Sequence, residues 1–244
     1  MKYLKVEHLK CKKRWIKYLI FLAPCIVLLH AGLTYLYFIP NGYNWWYIML
    51  LPGYLALSSS LLNRYEQKGL GYRAVISLPI SLKKTWIAKI LLLAIYLSLS
   101  SLFHLVILIL GKATIYSEPA KDISYLSMVF ASMTLIITYL WQIPFCLVLS
   151  KKIGTAFTVF INVVFGMAMN ILFVHKSYWW ICPYSWGSRL MIPIIKVLPN
   201  GLLAETVHFS DYQLDIVLGL TLSVLLFLIL TWRTATRFQR QEAD

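Results

Sequence analysis

Long apolar runs alternate with short charged segments along the whole chain. Six runs are long enough, or nearly so, to cross a hydrocarbon core of roughly 30 Å. They cover residues 18–39, 46–62, 90–110, 123–149, 154–174 and 214–232. The second is short and is led by Trp45 and Trp46, and the fourth is interrupted by Gln142 and Pro144. Each run is predicted to be helical, because a backbone in lipid must satisfy its own hydrogen bonds. Between the runs, residues 41–43 and 150–153 read as tight turns, residues 63–86 as a longer loop, and residues 176–213 as an aromatic, Pro-containing segment. The pattern predicts an all-α polytopic membrane protein, with one transmembrane domain over residues 1–244. It shows no soluble domain, internal repeat or low-complexity linker.

Composition points the same way. Hydrophobic residues make up 60% of the 244 and charged ones 13%, against about 25% charged in a soluble chain. The charges also fix an expected orientation. With the amino terminus inside, eighteen of the 23 bases fall in inner segments: seven before the first run, six after the second, two after the fourth and three in the tail. The outer segments hold only Lys112, Lys121, Lys176, Arg189 and Lys196. This asymmetry predicts both termini in the cytoplasm, which an even number of spans requires. The nine acids divide so that the net +14 is entirely internal. The basic character therefore reads as topological anchoring against anionic lipid, not as nucleic-acid binding.

The run from Tyr18 is longer than the apolar region of a usual signal peptide and no small-residue cleavage site follows it, so it reads as an uncleaved first span. Cys11, Cys25, Cys146 and Cys182 share no aqueous compartment in this topology, which argues against disulfides, and no Cys/His cluster has metal-ligand spacing. No Asp or Glu falls firmly within a run, which argues against an intramembrane hydrolase.

Three segments stand out. In residues 1–17, Leu4, His8, Cys11 and Trp15 fall near one face at helical spacing with lysines around them. That is the pattern of an interfacial helix, serving as an anchor or as a contact for a cytoplasmic partner. In the inner loop, Tyr72, Val75, Ile76 and Leu78 predict a short amphipathic helix that Pro79 stops. Ser81 is placed to cap the next helix. In the fifth run, Thr158, Asn162, Gly166 and Asn170 recur at steps of four. They form either a close helix interface or the polar wall of a substrate path. His30 and His104 lie within runs without an acidic neighbour nearby in sequence, and read as satisfied or lumen-facing histidines, with a proton relay as the lesser alternative.

The series Glu66, Arg73, Ser77-Leu-Pro-Ile-Ser81 and Lys89 resembles the region between the second and third spans of ABC-2 type ABC transporter permeases. That resemblance implies a coupling helix that touches an ATPase subunit, with Glu66, Tyr72, Arg73, Leu78, Pro79 and Ser81 as coupling residues. Asn44-Trp-Trp-Tyr47, Leu51-Pro-Gly53, Trp179-Trp-Ile-Cys-Pro-Tyr-Ser-Trp186, Arg189-Leu-Met191 and Leu198-Pro-Asn-Gly201 resemble the E-type permease subunit of lantibiotic-immunity exporters, over nearly the whole chain. The resemblance implies two permeases, commonly different, paired with two ATPase subunits. Such an assembly uses ATP to remove antimicrobial peptide from the membrane of a Gram-positive bacterium. The chain contains no G-x-x-x-x-G-K-[ST], so ATP and Mg are expected on the partner, with no cofactor, metal or bond chemistry in this chain.

Trp179, Trp180, Tyr184 and Trp186 then have two readings. They form an aromatic belt at the outer interface, or a surface that contacts the peptide. Among nearby charges, Glu205, Asp211 and Asp215 suit a cationic cargo. Two alternatives to the exporter remain: a non-transporting membrane module of a sensor or assembly complex, and an ABC-2 permease for another peptide or lipid cargo.

Overall fold

The computed structural model describes residues 2–12, 14–67, 80–114, 123–204 and 207–240. Ten α-helices are named here in chain order: α1 (Lys2–Lys10), α2 (Leu19–Leu33), α3 (Phe38–Trp45), α4 (Leu51–Gln67) and α5 (Leu82–Thr114). They continue with α6 (Tyr125–Tyr139), α7 (Gln142–Phe160), α8 (Gly166–Phe173), α9 (Pro183–Ile195) and α10 (Gln213–Arg240). Among the described residues, the one β-type pairing is an isolated bridge between Val197 and Leu203.

Four stretches are long and apolar enough to cross a membrane: Tyr35–Glu66, Leu82–Thr114, Gln142–Phe173 and Phe209–Arg240. Leu19–Leu33 and Tyr125–Tyr139 are shorter apolar helices. At 15 residues, α2 spans about 22 Å at ~1.5 Å per residue. The side chains facing outward are apolar. Leu29, Leu33, Leu126, Phe157, Leu214 and Val217 are all more than 60% exposed, which a water-soluble surface does not tolerate at this density.

Several boundaries differ from the sequence expectation. The first reversal occurs at Thr34, where ψ is 60°, and not at residues 41–43. Those residues lie inside α3, and the Asn41 side chain donates back to Thr34 Oγ1 at 2.7 Å. The expected first span, residues 18–39, is therefore cut at Leu33, and the second begins at Tyr35 instead of Trp46. A run of aromatics hid the turn, since Tyr35, Tyr37 and Phe38 read as continuous apolar sequence. The expected break within residues 123–149 is present and has the expected cause. Pro144 has no N–H to give the Leu140 carbonyl, and the ladder lapses at Leu140–Trp141, where Ile143 N reaches Leu140 O in a tighter turn at 3.1 Å.

The tight turn foreseen at residues 150–153 is displaced by one residue. Residues 150–153 stay helical, and the chain reverses at Gly154, with φ 79° and ψ 179°. That backbone region is essentially restricted to glycine. The reversal folds the two halves of Gln142–Phe173 against each other, so Asn162 bonds Gln142, twenty residues earlier.

Two π turns mark matching levels of neighbouring helices. The first, Trp46–Leu50, precedes Pro52. Pro52 cannot donate to the ladder, and Leu51 N bonds Trp46 O, five residues back. The second is Ile161–Phe165. The core between the helices is aromatic. His104 donates from Nε2 to Gly42 O at 3.1 Å and stacks on Trp46 with ring centroids 4.9 Å apart. It is thus a satisfied structural histidine.

Candidate functional site

The segment before α2 carries seven bases and a single acid, Glu7. In the fold that acid faces inward. Leu4 and Glu7 of α1, with Cys11 just beyond its end, form the face that seats against α5. His8 stays exposed and Trp15 is 75% exposed. The face foreseen from Leu4, His8, Cys11 and Trp15 holds at its first three positions, the His8 ring meeting Tyr96 of α5 edge-on with centroids 6.4 Å apart. Glu7 joins it because it has ion partners in the bundle, and Trp15 leaves it because a separate 3-10 turn begins there.

Glu7 belongs to a cluster of four charges. Lys10 Nζ lies 2.6 Å from Glu7 Oε1 and 2.7 Å from Glu66 Oε1. The other Glu66 oxygen accepts from Lys89 Nζ. The Lys89 side chain is fully buried, those of Glu7 and Glu66 nearly so, and that of Lys10 is 35% exposed. Burying one such charge alone would be prohibitive; burying two of each sign in contact is tolerable. Burial pushes the Glu7 carboxyl above the usual carboxylate range, against the pull of Lys89 and Lys10. Burial opposes the Lys10 ammonium too, but its bonds to Glu66 and Glu7 outweigh that and lift its pKa above the ordinary lysine value.

The cluster joins elements far apart in sequence. Glu7 and Lys10 come from α1, Glu66 from the end of α4, and Lys89 from the second turn of α5. Lys89 also lies 5.6 Å from the Trp86 ring centroid and 5.7 Å from that of Phe238. Trp86 stacks on Phe238 at 4.5 Å and donates from Nε1 to Thr234 Oγ1 at 3.0 Å, which carries the connection to α10. Ser81 caps α5 by accepting from Lys84 N at 3.3 Å, and its own N–H donates to the Tyr3 hydroxyl of α1. Both flanks of residues 68–79 are thus pinned to α1. Tyr72, Arg73, Leu78 and Pro79 lie outside the described residues.

The family model for ABC-2 family transporter proteins matches residues 3–169, more than half of the chain. The chain belongs to the ABC-2 family of transporter proteins. No curated protein and no solved structure matches it. It is therefore a membrane protein of the transport-permease class, a family that works with an ABC ATPase. The matched residues include all four members of the ion cluster and both flanks of the segment between α4 and α5.

The four residues at steps of four in this ABC-2 permease are all buried. Asn162, inside the second π turn, donates from Nδ2 to Pro52 O at 2.8 Å and to Gln142 Oε1 at 2.9 Å. Its Oδ1 accepts from the Tyr184 hydroxyl at 3.2 Å. Thr158 bonds back to Gly154 O. Gly166 leaves room for the Tyr184 ring, since a Cβ there would come within 2.7 Å of it. Asn170 is 3% exposed. In this chain the stripe packs α7 and α8 against α4 and α9.

The aromatic residues of 179–186 divide. Trp179 and Trp186 are 3% exposed and belong to the core, Tyr184 is half-buried against Trp141, and Trp180 is 47% exposed. Trp186 Nε1 donates to Trp180 O at 2.9 Å. The helix they introduce, α9, is itself buried along most of its length. Of the acids considered for a cationic cargo, Asp215 is held by Arg189, with Nε 2.9 Å and Nη2 2.8 Å from Oδ2. Glu205 lies outside the described residues.

The sequence reading missed Glu7, Lys10 and Phe238 as site residues. For Glu7 a signal existed: one acid among seven bases that should repel nothing and attract everything. Phe238 gave none, being one aromatic near the end of a long apolar helix.

Proposed function

We propose that this ABC-2 permease is the membrane subunit of an ATP-driven exporter that removes lantibiotic-type antimicrobial peptide from a bacterial plasma membrane. A Gram-positive bacterium producing or resisting such a peptide is the expected setting. The motifs at residues 44–53, 179–191 and 198–201 support the E-type assignment, and the distribution of bases supports both termini inside. Six passes follow when α2 counts as a short first pass, α6 and the arm from Gln142 to Gly154 count together as the fourth, and the arm after Gly154 counts as the fifth.

The observation that carries the coupling role is the buried ion cluster beside residues 68–79. The ATPase, with its ATP and Mg, docks on this side. A push on residues 68–79 reaches Glu66 on one flank and Ser81 on the other. The ionic contacts convert it into joint movement of α1, α4 and α5, and Trp86–Phe238 passes it to α10. No residue of this chain makes or breaks a covalent bond. Its work is to change which side of the membrane the bundle opens to, paired with a second, homologous permease.

Two experiments test this. Gentle affinity purification of the chain from cells expressing its genomic neighbours should bring a Walker-motif ATPase and a second permease in near-equal amount. A chain that purifies alone favours a sensor or assembly module. Cells carrying the complete set should then release membrane-bound lantibiotic in an ATP-dependent way, and Glu66→Gln should retain ATPase activity while release falls. Release of other peptides or lipids but not of lantibiotic would overturn the cargo.

A further inference from the structure

Between the start of α5, the part of α7 just before Gly154 and the end of α10 lies a cavity of about 250 Å³, walled in part by Trp86, Lys151, Lys152, Thr234, Arg237 and Phe238. Three of these are cations, and among the described residues no carboxylate lines the cavity. The neighbouring ion cluster pairs Glu7 and Glu66 with Lys10 and Lys89, so it adds no net negative charge beside them. Lys152 and Arg237 are exposed, and among the described residues neither has a carboxylate within 4 Å. Lys151 is half-buried, its Nζ 4.8 Å from the Phe238 ring centroid. The stacked pair Trp86–Phe238 forms a dry wall beside it.

Like charges gathered beside an apolar wall repel one another, and an anion among them reverses the sign of the interaction. The volume exceeds what one water needs. A guanidinium fork with two ammoniums suits the several oxygens of a phosphate better than the two of a carboxylate. We propose that this cavity binds the phosphate of an anionic lipid headgroup, with Arg237 and Lys152 on the phosphate oxygens and Lys151 as the deeper cation. Free phosphate has the same anion chemistry. The lipid is favoured because half-buried Phe227 and Leu230 continue along α10 the face that carries Thr234 and Phe238, and exposed Ile153 follows Lys152, so an apolar surface for acyl chains adjoins the charged site. The site is independent of the cargo.

The test is native mass spectrometry of the full chain in detergent, supplied with phosphatidylglycerol, phosphatidylcholine or inorganic phosphate. Phosphatidylglycerol should be retained in preference to phosphatidylcholine. Replacing Lys152→Gln and Arg237→Gln together should weaken that retention about 30-fold, roughly fivefold for each charge near a membrane surface. Both side chains are exposed, so the variant should elute as the parent does, and Lys152→Arg should keep the lipid. Equal retention of the two lipids, or unchanged phosphatidylglycerol binding in the double variant, overturns the site. Displacement of phosphatidylglycerol by millimolar inorganic phosphate, with no lipid preference left, overturns the lipid as the source. Cross-linking of Lys152 to a carboxylate of a partner ATPase in the assembled complex would assign the cavity to that protein instead.

Discussion

Replacing Glu66 by methionine should destabilise the folded permease by about 3–5 kcal/mol, the cost of breaking a buried ion pair from one side. Methionine keeps the length and removes both charge and acceptor. Lys10 loses one carboxylate but keeps Glu7 and is 35% exposed, so its share is at most ~1 kcal/mol. Lys89 has less relief, because its side chain is fully buried and the attraction of Glu7, which persists, does not replace the Glu66 contact. Its contacts with Trp86 and Phe238 supply only ~0.5–1 kcal/mol each, too little to replace a carboxylate. Removing both charges in Glu66→Met with Lys89→Met leaves Glu7 and Lys10 to each other and should recover most of the loss. A double-mutant cycle in SDS-induced unfolding from mixed micelles should show favourable coupling of about 2–3 kcal/mol. Additive losses, or a Glu66→Met cost below about 1 kcal/mol, would refute the idea that this pair is what lets Lys89 be buried.

The seating of α1 should depend on pH through Glu7. Its folded pKa is raised by burial, so the seated state binds the proton more tightly and loses stability as pH rises from the ordinary carboxylate range through the raised value. Trypsin cleavage after Lys10 or Lys12 should accelerate over that interval and become flat in Glu7→Gln. Cys11 reports the same event independently. It is buried and its thiol is pushed up to about 11 by that burial, so in a Cys25→Ser background maleimide should label it slowly, and faster once α1 is released. Gly154→Ala should cost about 1–3 kcal/mol in the same micellar unfolding assay, from backbone strain alone, since nothing lies within 4 Å of a Cβ there. By contrast Gly32→Ala, equally open and inside α2, should stabilise by about 0.5–1 kcal/mol. Asn162→Leu should lose about 1–2 kcal/mol through its bonds to Pro52, Gln142 and Tyr184.

Apolar run length and breaker residues are local properties, and they determined most of this protein on their own. The helical class, the kink before Pro144, the Ser81 cap and the neighbourhood of the Gly154 reversal all follow from what a residue does to its own backbone. The transporter family was likewise legible, because the stretch around Glu66 and residues 77–81 is continuous in sequence. Where aromatics continue an apolar run through a turn, as at Thr34, local hydropathy has no signal, and the bond from Asn41 identifies the reversal. The partners of Glu66 could not be read at all. Lys10 and Lys89 stand 56 and 23 residues away, on helices whose rotation is set by the whole bundle. Charge in sequence tells only how many ions must be accommodated. Which of them meet, and which can therefore leave water, is a three-dimensional balance of desolvation against contact. That balance turned Glu7 inward and left Trp15 outside.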